Sequence, residues 1–319
     1  MRAVVFTAPG VVEMRDVPEP EPGPGEVLVH VAASGICGSE LHGVRTPGFR
    51  VPPLVMGHEF AGHTDDGRRV VINPILSCGR CDLCAAGLRN VCRERRIVGV
   101  HTPGAFAERV AVPAGALVPV PDALGWTAAG VVEPAANAVH AWELAGAPAG
   151  ARVGVIGAGA IGLACLLVAV SGGAARVEVA DRSAERLAAA ARLGADAAVD
   201  RLSGEYDVIF DAVGAAVTHE QSLALLRPGG AAVWLGLADS DAGFDAAALV
   251  RGEKRVLGSF AYRDADFAAA VDLIGTWDLS WVDTFPLEEG AEVFTALMNG
   301  RATPVKALLT PEPLTPEPR

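Results

Sequence analysis

Cys78, Cys81, Cys84 and Cys92 share one short loop with the spacing C-x2-C-x2-C-x7-C. Thiolates two residues apart can converge on one tetrahedral ion about 2.3 Å from each sulfur. The residues among them (Gly79, Arg80, Asp82, Leu83, Gly87) are turn-like or polar, a poor setting for thiols that only fill a core. A fifth thiol, Cys37, lies in Gly35-Ile36-Cys37-Gly38-Ser39, and His58-Glu59 follows farther along. Four thiolates close the coordination of a structural zinc ion, whereas one thiolate, one imidazole and one carboxylate leave a position open for water or substrate. Two zinc ions with different jobs are therefore expected. The sixth cysteine, Cys165, sits in an apolar helical stretch and reads as a small core residue.

A second kind of chemistry is written in Gly157-Ala158-Gly159-Ala160-Ile161-Gly162, a GxGxxG. The pattern is weak by itself in a chain rich in glycine and alanine. Here it follows a predicted strand, opens a predicted helix, and the next predicted strand ends at Asp181, the distance at which a ribose-binding acid belongs. The first glycine turns the chain, the second admits a pyrophosphate to the backbone, and the third allows close helix–strand packing. The helix start, with Ala160 and Ile161, presents N–H groups and a positive dipole end to phosphate. Asp181 favours NAD over NADP by repelling a 2′-phosphate, and Arg182 beside it weakens that preference. Val213, after the third strand of this region, is a further expected cofactor contact.

The elements that must position these residues fall into two styles. Up to Pro121-Asp122 short alternating runs such as Val27–Val31 and Arg69–Ile72 are bounded by Pro/Gly clusters, which predicts strands, with Asp66-Gly67 as a two-residue hairpin turn between Thr64 and Arg69. Beyond that point apolar strands alternate with alanine-rich helices, as in βαβ units of a doubly wound parallel sheet. Strands are predicted at 152–156, 176–180, 207–212, 231–235 and 256–259, helices at 160–170, 184–193 and 219–226, and a turn at Arg227-Pro228-Gly229-Gly230. Two more helices (266–274, 287–299) and a strand (305–309) follow, and the Pro-rich tail Thr310–Arg319 reads as extended and poorly ordered. The fold class is α/β, a β-rich domain joined to a doubly wound one.

Composition removes several functions. The 319 residues carry a formal charge of −12, so nucleic acid or an anionic membrane finds no electrostatic support. Val153–Ala175 is uncharged and long enough to span a bilayer, but its glycines divide it into a strand and a helix. No export signal opens the sequence, so a reducing cytoplasmic setting, in which clustered cysteines bind metal, is expected. Lys254 and Lys306 are the only lysines, which reads as coding bias.

Taken together, these motifs resemble the zinc-dependent medium-chain alcohol dehydrogenases, in their polyol and threonine dehydrogenase branch. The matching stretches include Gly35–Ser39, Gly57-His58-Glu59-Phe60-Ala61-Gly62, the four-cysteine loop, Gly104-Ala105-Phe106-Ala107-Glu108, Glu133-Pro134-Ala135-Ala136-Asn137-Ala138-Val139-His140 and the glycine loop with Asp181. The resemblance implies a GroES-like catalytic domain (1–123 and 263–319) split around a Rossmann domain (124–262), usually in a homodimer or homotetramer. It implies that Cys37 and His58 hold catalytic zinc with Glu59 or Glu133 as the carboxylate, that Ser39 takes the substrate proton and that His42 passes it outward. Arg186 matches a basic residue near the adenosine ribose. The chain departs from the pattern in a short connection at His63–Arg69 and in Arg109, where a tyrosine is usual.

The implied reaction is NAD-linked oxidation of a secondary alcohol, of the polyol, amino alcohol or aminocyclitol class, to a ketone. The alternative on the same scaffold is a biosynthetic NAD(P)H-dependent reductase of a carbonyl or imine. A non-catalytic dinucleotide sensor would lack a zinc ligand or Ser39, and a zinc-free quinone reductase would lack Cys37 and the four-cysteine loop. Residues 43–56, with Phe49 and Leu54, are expected to line the substrate pocket, and His30, His63, His101 and His219 read as surface or structural.

Overall fold

A computed structural model describes residues 1–46, 48–301 and 304–314, so the tail predicted at the C-terminus lies, for residues 315–319, outside the described residues. The chain forms two compact units, Met1–Glu133 with Arg263–Arg319, and Pro134–Tyr262. The first division falls later than the expected 123/124 boundary. Arg69 explains why: its guanidinium bonds the Leu124 carbonyl and lies 3.6 Å over the Trp126 ring, holding this segment to the first unit.

In the first unit the strand Glu26–Gly35 buries Val29 and Val31 on one side of the pleat, as the alternation predicts. It pairs antiparallel with Glu59–Thr64, Arg109–Pro113 and Lys306–Thr310. Arg69–Ile72 extends the sheet beyond Glu59–Thr64, and Val282–Pro286 extends it beyond Lys306–Thr310. The hairpin at Asp66-Gly67 is longer than the expected two-residue turn, because Thr64 N–H bonds the Arg68 carbonyl and Gly67 N–H turns back to the Thr64 carbonyl. Met56 and Phe60, both fully buried, belong to different core clusters, one around Phe106 and Phe294, the other around Val29 and Ile72. The dipeptide His58-Glu59 is thus pinned between two cores. Truncating either neighbour to alanine would cost about 2–5 kcal/mol.

The second unit is a six-stranded parallel sheet in the order Ala197–Val199, Arg176–Ala180, Arg152–Ile156, Tyr206–Asp211, Leu226–Trp234, Arg255–Gly258. Two strands lie on one side of the first strand in the chain and three on the other, the doubly wound dinucleotide-binding order. Helices Ala160–Ser171, Ala184–Arg192 and Ala216–Ala224 connect them. No helix among the described residues is long and apolar enough to cross a membrane: the uncharged stretch divides at Gly157–Gly159 as expected.

One local expectation is corrected, and two elements carry no prediction from the sequence. Arg227-Pro228-Gly229-Gly230 does not precede its strand but lies inside Leu226–Trp234, where the pairing jumps from Tyr206↔Leu226 to Val208↔Ala231. Proline and glycine here make an irregularity in the strand, not its end. The strand Ala197–Val199 is too short to leave a periodic signal. The helix Val132–Ala145 also went unread, since Pro134 looks like a breaker but is tolerated in a first turn.

Glu178 shows how this sheet holds a buried charge. It accepts from Arg152 Nη2 at 2.9 Å, Arg176 Nε at 2.6 Å and Tyr206 OH at 2.7 Å. Burial works to raise its pKa, but Tyr206 and the two arginines outweigh it and hold the carboxyl below its usual 4.5. A lowered folded-state pKa gives stability that is present above the unfolded value and lost as pH falls through the folded one. The thermal midpoint should therefore fall on acidification below 4.5, and Glu178→Gln should start lower at neutral pH and fall less. Parallel acid profiles for the two proteins would refute this.

Candidate active site

Cys37 lies two residues after the strand Glu26–Gly35 and caps the short helix Gly38–Gly43, while His58 immediately precedes the neighbouring strand, which Glu59 opens. Antiparallel pairing of Gly35 with Glu59 sets the two segments side by side. As a result the Cys37 thiol, a His58 ring nitrogen and a Glu59 oxygen lie within 4.8 Å of one another. Gly57 makes the corner before His58 possible: its φ is +98°, and a side chain there would strike Phe106 N.

Three residues that sequence reasoning missed complete the arrangement. Glu40, fully buried, accepts from Cys37 N at 3.0 Å, Gly57 N at 2.9 Å and His58 Nδ1 at 3.0 Å. A proton on Nδ1 leaves Nε2 as the ligand atom, the arrangement by which a carboxylate orients a metal-binding histidine. Burial disfavours the imidazolium, but Glu40 and then Cys37 outweigh it and raise the His58 pKa well above 6.5. Lys306, also buried, pairs with Glu59 Oε2 and donates to the Ile36 carbonyl at 2.9 Å. Burial opposes its charge as well, and Glu59 followed by Cys37 raises its pKa. Arg50 donates to the Ser39 carbonyl at 2.7 Å. Glu40 had a readable signal, since an acid three residues after a helix cap is a capping box. Lys306 had a fainter one: it is one of two lysines in a chain whose other basic residues are arginines and histidines.

Ser39 N and Oγ lie 3.4 and 3.3 Å from Cys37 Sγ, so both can donate to the sulfur. Ser39 and His42 are exposed three positions apart on the same short helix. Glu133 is buried in the first turn of Val132–Ala145 and does not join the group formed by Cys37, His58 and Glu59.

The four-cysteine loop fits a tetrahedral ion. Sulfur pairs are 3.5 Å (Cys81–Cys84, Cys78–Cys92) and 3.9 Å (Cys78–Cys84, Cys81–Cys92) apart. Sulfurs about 2.3 Å from a shared tetrahedral ion lie about 3.8 Å apart, whereas a disulfide needs about 2.05 Å. Backbone N–H groups of Arg80 and Cys81 hold the Cys78 thiol down to about 6, while desolvation and the Cys81 thiol push Cys84 up to about 11. Arg93 pairs with Asp82 and Arg80 with Glu94, fastening the loop from outside.

The glycine loop joins the strand Arg152–Ile156 to the helix Ala160–Ser171, with Gly159 as its cap. A side chain on Gly162 would strike the Gly157 carbonyl, which is the close helix–strand packing expected of the third glycine. Asp181 directly follows the strand Arg176–Ala180 and accepts from Ala158 N at 2.7 Å and Ser183 N at 2.8 Å. Arg186 Nη1 is 3.9 Å from the same carboxylate, and Arg182 is exposed beside it. Val213 meets the loop from the next strand, its Cγ2 2.6 Å from where a Cβ on Gly157 would stand. The strand, turn, helix and acid that a dinucleotide needs are all present.

Among the other histidines, His219 is buried 3.0 Å from Asp211 and stacked 3.8 Å from Trp234. His30 stacks on His63 and contacts Asp65 at 2.7 Å. Both are structural arrangements.

Comparison with known proteins agrees with this geometry. The family model of the alcohol dehydrogenase GroES-like domain matches residues 23–122, and that of the zinc-binding dehydrogenases matches residues 160–276. L-threonine 3-dehydrogenase of Rhizobium johnstonii is 35% identical over 273 residues, covering 77% of this chain and 78% of its own. L-galactonate-5-dehydrogenase of Escherichia coli K12 is 30% identical over 321 residues, covering 91% and 93%. A crystal structure from Sinorhizobium meliloti, described as a zinc-binding dehydrogenase and bound to NADP, matches with a TM-score of 0.90 and 32% identity over 97% of this chain and 99% of that one.

Two metal predictions follow from the geometry. Cys84→Ser should lose one zinc ion per chain by elemental analysis and unfold at lower temperature than the wild type, while a variant that keeps its full zinc content would contradict the four-thiol site. Glu40→Gln should weaken retention of the other ion about 10- to 100-fold in a chelator competition, and unchanged retention would remove Glu40 from that role.

Proposed function

The chain belongs to the zinc-binding alcohol dehydrogenases with a GroES-like domain, and from that premise we propose that it oxidises a secondary alcohol of the polyol, amino alcohol or aminocyclitol class to a ketone, with NAD as hydride acceptor. The observation that carries this reading is the convergence of Cys37, His58 and Glu59. When bound, zinc supplies Lewis acidity toward the substrate oxygen and the nicotinamide supplies the hydride acceptor.

Cys37, His58 and Glu59 hold the ion, with Glu133 as the alternative carboxylate. Glu59 offers Oε1, its other oxygen being held by Lys306. Ser39, exposed beside the Cys37 sulfur, would accept a hydrogen bond from the substrate hydroxyl and relay its proton, releasing its own toward the nicotinamide ribose and His42, from which it reaches solvent. Cys78, Cys81, Cys84 and Cys92 hold the structural ion. Gly157, Gly159, Ala160, Ile161 and Gly162 receive the pyrophosphate, with Val213 alongside. Asp181 takes the adenosine ribose hydroxyls and sets the preference for NAD, with Arg182 and Arg186 at its flank.

Support for a homodimer or homotetramer comes from the strand Arg255–Gly258. Its outer side pairs with no strand among the described residues, and an open edge of that kind invites a second copy. Support for a cytoplasmic setting comes from the six free thiols, which suit a reducing compartment.

Kinetics with NAD+ or NADP+ and a panel of polyols, amino alcohols and aminocyclitols test the proposal. Oxidation should be faster with NAD+, should vanish with Cys37→Ser and His58→Ala, and should lose about 100-fold or more in kcat with Ser39→Ala. A protein that only reduces carbonyls with NADPH would overturn both the direction and the use of Asp181.

A further inference from the structure

Arg50 is only 2% exposed, and both ends of its guanidinium fork go to one residue. Nη1 donates to the Ser39 carbonyl at 2.7 Å, and Nη2 lies 3.5 Å from Ser39 Oγ, the long end of such contacts. The buried Nε has no hydrogen-bond partner among the described residues. Burying a guanidinium with one N–H unanswered costs stability, so its place calls for a reason other than packing.

The surroundings are shaped to receive it. Gly43 closes the helix Gly38–Gly43 without a left-handed backbone, so its conformation alone does not demand glycine. A Cβ there would strike Arg50 Nη1 and come within 3.2 Å of Cζ, so the missing side chain is the space that the guanidinium fills. On another side the Phe49 ring centre lies 5.1 Å from Cζ. Burial works to raise the Glu40 pKa, but His58 and then Arg50 oppose it, and the carboxyl is held below 4.5. The cation therefore stands near a buried anion of the same site and calls for none from outside.

What the fork does to Ser39 follows from counting donors and acceptors. A serine hydroxyl has one proton and two lone pairs. Its proton can go to Cys37 Sγ, 3.3 Å away. A guanidinium only donates and keeps its charge, so toward Arg50 the oxygen can only accept. The second lone pair remains for another hydroxyl. The carbonyl bond fixes the turn of helix that carries Ser39, and the second nitrogen fixes how its hydroxyl is used. A single ammonium group cannot hold both points with the same fixed geometry.

We propose that Arg50 is a positioning residue for the proton path: by gripping Ser39 at its carbonyl and its hydroxyl, it holds Oγ as an acceptor beside Cys37, ready for the substrate hydroxyl. Arg50 touches no reacting atom and neither gains nor loses a proton; it acts through Ser39. This rests on the alcohol dehydrogenase reading above and adds to it a residue outside the metal ligands and the relay. The stretch 43–56 thus serves the site in a way other than the expected pocket lining. Phe49 and Leu54 line a cavity of about 710 Å³ that none of Cys37, Ser39, His42, His58 and Glu59 borders, and the stretch reaches Ser39 through Arg50 instead.

The test is a double-mutant cycle on the zinc-loaded enzyme, with NAD+ and the alcohol of the panel above that the wild type oxidises fastest. Arg50→Gln should lower kcat and kcat/KM together by about tenfold, with KM nearly unchanged. Its zinc content by elemental analysis and its NADH affinity by fluorescence should equal those of the wild type. Arg50→Lys, which keeps the charge and loses the fork, should recover part of the rate. In a Ser39→Ala background, Arg50→Gln should cost less than about twofold, because the group it acts through is gone. Gly43→Ala, whose methyl group pushes the guanidinium tip aside while leaving the cation in the chain, should reproduce the loss and the same dependence on Ser39. It decides the case if Arg50→Gln does not fold. Equal losses with and without Ser39, an unchanged kcat, or loss of zinc from Arg50→Gln would overturn the assignment while the dehydrogenase reading stands. If the wild type oxidises no alcohol of the panel, the reading itself fails and the assignment with it.

Discussion

The Glu40 carboxylate is the interaction on which the catalytic half of this molecule depends. It accepts hydrogen bonds from Cys37 N, Gly57 N and the His58 ring, and so ties together the two chain segments that carry the candidate zinc ligands. A fully buried charge is tolerable only when its hydrogen bonds are met, and here each partner belongs to the site it supports. Glu59 repeats the device with Lys306. Two buried acids, each bound to a cation or an imidazole, hold a thiol and two ligand side chains in register without relying on loop contacts.

The two groups that could hold a metal ion represent different engineering. The four thiols arise within one loop, where turns and flanking Arg–Asp and Arg–Glu pairs are enough to bring the sulfurs to tetrahedral spacing. The open site needs a helix cap, a strand start and a lysine from near the end of the chain, which only a folded sheet can bring together. A closed site can be assembled locally because nothing must approach it. An open one needs rigid walls so that a position stays free.

This difference also explains what could be read from the chain alone. The thiol loop, the glycine loop with Asp181 and the triple Cys37, His58 and Glu59 were legible because their chemistry lies in residue type and short spacing. The parallel strands around Arg152–Ile156 were legible because burial on both faces leaves unbroken apolar runs. Lys306 and Arg50 were not, since a buried cation acquires its meaning from a partner far away in sequence. The strand through Pro228-Gly229 was misread because turn residues inside a strand make an irregularity that only the neighbouring strands reveal.

The discontinuity of the first unit bears on the order of events during synthesis. Residues 134–262 are contiguous and can close their sheet as soon as they leave the ribosome. The sheet that carries Cys37, His58 and Glu59 must wait for Val282–Pro286 and Lys306–Thr310, the last strands to emerge. Until then Glu59 has no ammonium group to meet it. The middle of this polypeptide can therefore mature before its beginning, and a nascent chain stalled short of its final strand would display a finished nucleotide fold beside an unfinished metal site.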